Sequence, residues 1–143
     1  MKIQKARKAD LKEVSEIFRI ESAKKPYLQK WNKKTALKKI TESFKKYNMH
    51  IALIDREIVG FVTSYAEKDN KEKAYVDELW LKSNYQRKGI GKALMKFIEK
   101  MYKKKKVKVI QLVSNRKSGA FKFYKKLRYG ESKGTVFMDK RLK

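Results

Sequence analysis

Apolar residues recur along this chain at two spacings, one typical of helices and one typical of strands. Near the N-terminus, spacings of three and four residues predict a helix that Asp10 caps, with Glu13 as its partner in a capping box. A second helix of the same spacing is predicted after Thr35, whose hydroxyl suits an N-cap. The predicted apolar sides are Leu11, Val14, Ile17 and Phe18 in the first helix and Leu37, Ile40, Phe44 and Tyr47 in the second.

Alternating or continuous apolar runs predict the strands. Asp55, Arg56 and Glu57 separate two of these runs, which indicates a hairpin. The run at 107–113 is largely apolar, as in a strand that is buried on both faces. The alternating run at 135–142 is expected to close the chain as a last strand. The predicted strands are residues 1–7, 51–54, 58–65, 74–82, 107–113 and 135–142.

The clearest helix follows the strand at 74–82. Its apolar stripe covers three turns between Ile90 and Tyr102, a basic run at 103–106 ends it, and a further helix is predicted at 118–127. The order is therefore strand, two helices, three-strand meander, helix, strand, helix, strand. This order predicts an α/β fold class with a central mixed sheet flanked by helices. No linker or repeat interrupts it, so residues 1–143 are predicted to form a single domain.

The turn before that helix, Gln86-Arg87-Lys88-Gly89-Ile90-Gly91, is suited to bind an anion. Two glycines let the backbone bend tightly and come close to a ligand. The free N–H groups at the start of the following helix attract phosphate. Arg87, Lys88 and Lys92 add positive charge at the same place, so the turn is predicted to hold a pyrophosphate.

Two common nucleotide-binding loops do not fit this turn. The dinucleotide fingerprint needs a glycine at its sixth position, where this chain has Leu94. The triphosphate loop needs a glycine where Gln86 stands and a serine or threonine where Ala93 stands. The remaining pattern, Gln/Arg-x-x-Gly-x-Gly after a strand, resembles the acetyl-CoA loop of the GNAT superfamily of N-acyltransferases.

The resemblance to the GNAT superfamily covers essentially the whole chain. Leu79-Trp80-Leu81 followed by the turn matches the family's central motif, and Asn115 followed by the helix around Tyr124 resembles its next motif. The resemblance implies acetyl-CoA as the acyl donor and no metal. It also implies that Leu79-Trp80-Leu81 offers its backbone to the pantetheine amides, and that Asn115 hydrogen-bonds the pantetheine arm. The implied cofactor-binding residues are Leu79, Trp80, Leu81, Gln86, Arg87, Lys88, Gly89, Ile90, Gly91, Lys92, Asn115 and Tyr124.

Acetyl transfer to an amine needs a base for the attacking nitrogen and an acid for the departing thiolate. Glu78 stands eight residues before Gln86, where many GNAT-like sequences carry a glutamate suggested as the base. A salt bridge to a nearby lysine is the alternative for Glu78, and Asp77 or a water chain is the alternative for the base. Alternation sends Asp77 and Glu78 to opposite faces of the strand. By resemblance Tyr124 is the acid, with a core tyrosine as the alternative.

Other candidate residues have simpler interpretations. His50, the only histidine, is expected to serve packing or the surface rather than catalysis. Tyr27, Trp31 and Trp80 line an acceptor cleft or pack in the core. Gly60 lies inside a predicted strand and marks a bulge or a close approach of backbones.

Composition excludes several function classes. The chain of 143 residues has no cysteine, so disulfides and cysteine chemistry are excluded. It has no long uncharged apolar run and no apolar core of a signal peptide, so a cytoplasmic protein without membrane contact is expected. Thirty-three lysines and seven arginines against 15 acidic residues give a net charge of +25. Such a field attracts polyanions, although lysine enrichment can also be compositional.

The leading functional hypothesis is an N-acetyltransferase that acetylates a primary amine, on a protein N-terminus, a lysine or a small molecule. The alternative is a nucleic-acid- or ribosome-associated binding module on the same fold, with paired lysines as phosphate contacts. The positive field repels polycations, so spermidine is expected to be a poor acceptor. An acceptor amine in acidic or anionic surroundings is favoured. Monomer and homodimer remain open.

Overall fold

The computed structural model describes residues 1–142 and contains a five-stranded mixed sheet. The strands lie in chain order, the first four pair antiparallel with their neighbours, and β5 pairs parallel with β4. The predicted mixed α/β sheet flanked by helices is therefore confirmed. The strands are β1 (Lys2–Lys5), β2 (Asn48–Ile54), β3 (Glu57–Ala66), β4 (Lys73–Leu81) and β5 (Val109–Gln111). The helices are α1 (Leu11–Ser22), α2 (Lys33–Lys46), α3 (Ile90–Lys104) and α4 (Gly119–Lys126).

Backbone contacts divide the chain into two compact units, Met1–Val113 and the residues from Ser114 onward. The first unit holds the whole sheet and α1 to α3, and the second holds α4. The single domain expected for residues 1–143 stays a prediction.

The core of the first unit lies between the sheet and the helices that precede β2. α1 packs against α2, β3 and β4, and α2 packs against β2. Val14, Phe18, Ile40, Ile51 and Phe61 are fully buried in this core, as the helical and alternating spacings predict. α3 packs on β2, β3 and β4 through its buried apolar stripe.

Asp10 is the N-cap of α1, as predicted, but the capping box with Glu13 does not form. The cap predicted for α2 is wrong by three residues. A short 3-10 turn at Lys8–Asp10 precedes α1, and the Asp10 carboxylate accepts the Arg7 backbone N–H at 2.8 Å instead of pairing with Glu13. α2 begins at Lys33, three residues earlier than expected, so Asn32 is its cap and accepts the Thr35 N–H at 2.8 Å. Thr35 is the box partner, and its hydroxyl accepts the Asn32 N–H at 3.1 Å.

The hairpin between β2 and β3 is confirmed. Ile54 pairs with Glu57, which leaves Asp55 and Arg56 as a two-residue loop. Both have positive φ, 49° and 67°, as a two-residue hairpin turn with the twist of its strands requires.

The strand predicted at 107–113 forms but is shorter and more exposed than expected, and the strand predicted at 135–142 is absent. β5 spans only Val109–Gln111, and Val109 is 49% exposed, so this strand is not buried on both faces. Residues 135–142 form no strand, and Val136, Phe137 and Met138 are all more than 70% exposed. An alternating pattern forms a strand only when a neighbouring strand supplies hydrogen bonds, and this segment has no ladder partner. Among residues 1–142 no helix has the length and apolarity needed to cross a membrane.

His50 is a packing residue, as expected. Its side chain is buried, its ring lies 5.0 Å from that of Phe97, and its Nδ1 has no hydrogen-bond partner in the described chain. Burial lowers the pKa of His50 below the usual 6.5, and the ammonium groups of Lys5 and Lys105 lower it further. Burial therefore disfavours a protonated His50.

This lowered pKa predicts a loss of stability in mild acid. Below pH 6.5 His50 binds a proton more readily in the unfolded chain than in the folded chain. The free energy of unfolding is therefore greatest above pH 6.5 and falls as the pH drops toward the pKa of the folded state. Urea unfolding of the wild type and His50→Gln at about pH 7.5 and about pH 5.5 tests this. The difference between the two pH values should shrink in the variant. An equal difference in both proteins would rule out His50 as its source.

Candidate active site

The unpaired edge of β4 is the first feature of the candidate site. β5 runs alongside β4 only through the pairs from Lys73 to Tyr75. From Val76 to Leu81, no strand within residues 1–142 pairs with this side of β4. Its N–H and C=O groups on that side can therefore bond an extended ligand as a strand would. Leu79, Trp80 and Leu81, the residues predicted to bind pantetheine, all lie in this stretch.

A β-bulge interrupts β4 beside that edge. Thr63 of β3 pairs with Glu78 and the next residue, Ser64, pairs with Val76, so Asp77 is an extra residue without a partner. A bulge breaks the alternation of side chains across the strand. Accordingly Lys39 Nζ lies 3.7 Å from Asp77 Oδ2 and also 3.7 Å from Glu78 Oε1. The prediction that the two carboxylates point to opposite faces is therefore wrong.

Glu78 contacts Trp80 and Thr63 in addition to Lys39. Its Oε2 accepts the Trp80 indole N–H at 2.5 Å, and its own backbone N–H donates to Thr63 Oγ1 at 3.0 Å. The side chain is 18% exposed. Burial raises the pKa of Glu78, while the Trp80 hydrogen bond and the Lys39 ammonium lower it in part and the Asp77 charge raises it. A carboxylate with a raised pKa is a stronger base than an ordinary carboxylate, which suits it to accept a proton.

The aromatic residues predicted to line a cleft or the core form a packed cluster. The Trp80 ring meets Tyr27 edge-on at 4.9 Å and Phe18 at 6.0 Å, and Trp31 lies 5.2 Å from Phe18. Because Phe18 is fully buried, the cluster anchors Trp80 to the core. That anchoring fixes the indole N–H which holds the Glu78 carboxylate.

The glycine turn follows β4 directly. After the 3-10 turn at Ser83–Tyr85, the Gln86 side chain donates to the Leu81 carbonyl oxygen at 3.3 Å. Gly89 is the N-cap of α3 with φ of 83°, a left-handed conformation that favours glycine. Arg87 is also left-handed, with φ of 63°. The conformation of the turn thus calls for a glycine at position 89.

The basic side chains of the turn point outward. Arg87, Lys88 and Lys92 are exposed, and no carboxylate within residues 1–142 forms an ion pair with any of them. Lys88 Nζ lies 5.5 Å from the centre of the Tyr85 ring. The first turn of α3, with Ile90 and Gly91 buried, carries the N–H groups that no helical carbonyl accepts. Donors and charges therefore suit a pyrophosphate.

A buried carboxylate fixes the segment between β4 and this turn. Glu21, at the end of α1, accepts the Ser83 hydroxyl at 2.7 Å and the Ser83 N–H at 3.2 Å. Lys24 contributes an ion pair to Glu21 at 3.1 Å and a hydrogen bond to Ser83. The turn is thereby tied to the helix layer as well as to the sheet.

Gly60 confirms the expected close approach of backbones. A Cβ on this residue would stand 2.9 Å from the Trp80 carbonyl oxygen and would overlap the Leu81 side chain. The register of β2 and β3 also shifts beside it, since Ala52 pairs with Gly60 and Leu53 with Ile58. The glycine lets β3 lie close under the β4 stretch predicted to bind the cofactor.

Asn115 and Tyr124 belong to the second unit. Asn115 is a turn residue whose Oδ1 accepts the Lys117 N–H at 2.8 Å, while Ser118 caps α4. Tyr124 is buried on α4, with Phe123 and Tyr129 edge-on at 5.1 and 5.9 Å. Their roles toward a cofactor stay predictions.

Two residues that contact Glu78, Lys39 and Thr63, are not predicted from the sequence. Thr63 is an ordinary strand residue and carries no sequence signal for its bond to Glu78. Lys39 did carry one, because it follows Ala36 by three residues and precedes Ser43 by four, on the helix face that is buried. A lysine on a buried face needs a carboxylate partner. In the part of the chain that is described, no three His, Asp or Glu side chains converge as metal ligands would.

The chain matches a known protein family in sequence and solved structures in fold. The sequence profile of the acetyltransferase (GNAT) family matches residues 12–129. A search of curated proteins found no match.

Solved structures share the fold at low sequence identity. A possible acetyltransferase from Clostridium difficile 630 is 16% identical with a TM-score of 0.83, over 99% of this chain and 98% of that one. An aminoglycoside acetyltransferase from an uncultured soil metagenomic sample, in complex with sisomicin, is 22% identical with a TM-score of 0.72 over 99% and 96%. The ribosomal-protein-alanine N-acetyltransferase from Brucella melitensis biovar Abortus 2308 is 15% identical with a TM-score of 0.75 over 98% of each chain.

Proposed function

Because this chain belongs to the GNAT acetyltransferase family and is an acetyl-CoA-dependent N-acetyltransferase, we propose that it acetylates a primary amine by direct attack, with Glu78 as the base. The observation that carries the proposal is the bulge at Asp77. It turns Glu78, a partly buried carboxylate with a raised pKa, toward the Lys39 side of β4, directly before the unpaired stretch from Leu79 to Leu81 and the glycine turn.

The residues of the first unit fit acetyl-CoA at two places. The left-handed turn with Arg87, Lys88 and Lys92 suits the pyrophosphate, and the unpaired edge of β4 suits the amides of the pantetheine arm. Acetyl-CoA supplies the thioester that the amine attacks. Two glycines support these contacts, since Gly89 permits the turn and Gly60 permits the close packing below Trp80 and Leu81.

In this mechanism Glu78 accepts the proton that the acceptor ammonium must lose before its nitrogen can attack. Trp80 holds Glu78 Oε2, so the carboxylate keeps one orientation while Oε1 faces Lys39. Lys39 is a positioning residue that limits how far burial raises the pKa of Glu78. Tyr124 is the proposed acid for the thiolate and Asn115 the proposed partner of the pantetheine arm, both on the strength of the family motif.

The charges around Glu78 bear on the acceptor. Two carboxylates, Asp77 and Glu78, share one ammonium, and within residues 1–142 no third carboxylate pairs with Lys39. A polycation would bring several positive charges to a protein of net charge +25. We therefore infer a single amine carried on an acidic peptide, in preference to polyamines or aminoglycosides.

A panel of acceptors tests this inference through the release of CoA thiol. An acidic peptide with a free N-terminus, the same peptide blocked and carrying one lysine, spermidine and sisomicin are compared at about 0.15 M salt. One of the two peptides is expected to exceed spermidine and sisomicin at least about tenfold in kcat/KM, since like charge slows encounter. Efficient turnover of spermidine or sisomicin would contradict the acceptor class. No turnover of any acceptor would instead weaken the proposed activity.

A further inference from the structure

A groove of about 440 Å³ lies at the end of the sheet where β4 begins. Its lining comes from the last residue of β1, the first residues of β2, the last residues of β3 and the end of α2. Ala66 in this lining pairs with Ala74, seven residues before β4 ends at Leu81. At about 3.3 Å per residue, the groove is roughly 20 Å from the glycine turn. The groove is therefore distant from the predicted pyrophosphate site.

Three tyrosine rings stack along this end of the sheet. Tyr47 and Tyr65 line the groove with ring centres 4.5 Å apart and planes 19° apart, and Tyr75 continues the stack at 5.2 Å and 27°. Tyr65 and Tyr75 meet because they are cross-strand partners, and Tyr47 follows α2 directly. Parallel aromatic faces at a partly exposed site are platforms on which nucleobases stack.

The other feature of the groove is a group of lysines without acidic partners. Lys5, Lys45 and Lys46 line it, are exposed, and form no ion pair with any carboxylate of residues 1–142. Elsewhere, lysines such as Lys24 and Lys82 do have such partners. Three like charges kept together at one groove favour an anionic ligand.

Carboxylates mark the other side of the stack. Glu67 accepts the Tyr75 hydroxyl at 3.3 Å. Burial raises the pKa of Tyr65, and the charges of Asp77 and Glu67 raise it further. Lys73 Nζ lies 5.8 Å from the centre of the Tyr75 ring. Phosphates are therefore favoured at the end formed by Lys5, Lys45 and Lys46, where no carboxylate of the described chain lines the groove.

We propose that this groove, the tyrosine–lysine groove, binds single-stranded nucleic acid, with a base stacked on Tyr47 and backbone phosphates on Lys5, Lys45 and Lys46. An acidic peptide would satisfy the lysines but leave the ring faces without a partner. The strand would be held by its shape and charge, with little preference for sequence. The site gives the acetyltransferase a second ligand, distant from its cofactor.

Fluorescence anisotropy with a labelled 12-nucleotide uridine oligomer tests the proposal on the full chain, without acetyl-CoA. Replacing Lys5, Lys45 and Lys46 by Gln should weaken binding and reduce the slope of log K against log salt by about 2, since each phosphate contact on a single strand contributes about 0.7. The matched control replaces Lys33, Lys34 and Lys38 by Gln, which removes the same charge from the other half of α2. Its slope should change by less than half as much.

Stacking is tested separately with Tyr47→Leu, whose fold is checked by circular dichroism. The variant should bind the uridine oligomer about tenfold more weakly with an unchanged salt slope. Wild type and variant should bind an abasic oligomer of the same length equally, and both more weakly than wild type binds uridine. The proposal would be overturned if the wild type bound the abasic oligomer, or a 12-residue polyglutamate, as tightly as it binds the uridine oligomer. So would equal losses in the groove and control lysine variants.

Discussion

The Glu78→Gln variant is expected to lose between about 10²- and 10⁴-fold in kcat, the range that a positioned general base contributes. The amide keeps the shape of the side chain and an oxygen for the Trp80 N–H, but it cannot take a proton from an ammonium. Because Lys39 retains Asp77 as a partner, the variant leaves no isolated ammonium. Its affinity for CoA should therefore stay within about twofold of the wild type. Steady-state rates and calorimetric CoA binding measure both quantities.

Asp77→Asn is the matched control for this prediction. Asp77 shares Lys39 with Glu78 but lies on the bulge with its side chain 30% exposed. Its replacement should change kcat by less than about tenfold, since it acts only through the charge it adds beside Glu78. The reverse ranking of the two variants would make Asp77 the base. Full activity in both would point to a water chain.

Replacing Arg87, Lys88 and Lys92 together by Gln is expected to weaken the binding of acetyl-CoA by roughly 100-fold. Each exposed charge-assisted contact to a phosphate contributes about 1 kcal/mol, and the three act at one turn. The helix N–H groups and the left-handed Gly89 remain, so binding is reduced rather than abolished. Titration calorimetry at about 0.15 M salt gives the dissociation constants.

Two comparisons make this loop prediction specific. A variant with Lys103, Lys104 and Lys106 replaced by Gln removes the same charge at the other end of α3 and should bind acetyl-CoA within about threefold of the wild type. S-acetylpantetheine lacks the pyrophosphate, so the loop variant and the wild type should bind it equally. Unchanged acetyl-CoA affinity in the loop variant would reject the turn as the pyrophosphate site.

The parts of the site that could be predicted from the sequence are local ones. The turn from Gln86 to Gly91 carries its own conformational requirement, because Gly89 must adopt positive φ and a helix must follow. The hairpin loop at Asp55 and Arg56 is local in the same sense. For such segments, residue type and spacing along a few residues decide the structure.

The parts that could not be predicted depend on strand register and on partners distant in the chain. The bulge at Asp77 exists only because β3 and β4 pair with one residue more in β4, and no residue type at 77 or 78 requires it. Lys39 reaches the two carboxylates across nearly forty residues of chain. At 135–142 the sequence predicts a strand that the structure lacks. The alternation is that of a strand, but no neighbouring strand pairs with this segment.

The pH dependence of kcat in the wild type and in Lys39→Met tests the central claim, that Glu78 is the base set by its buried surroundings, most directly. With the best acceptor of the panel, kcat should fall as the pH drops through the pKa of Glu78, which burial raises above its usual value. The Lys39 ammonium lowers that pKa, so Lys39→Met should move the acidic limb to higher pH. An acidic limb at the same pH in both proteins would contradict the account.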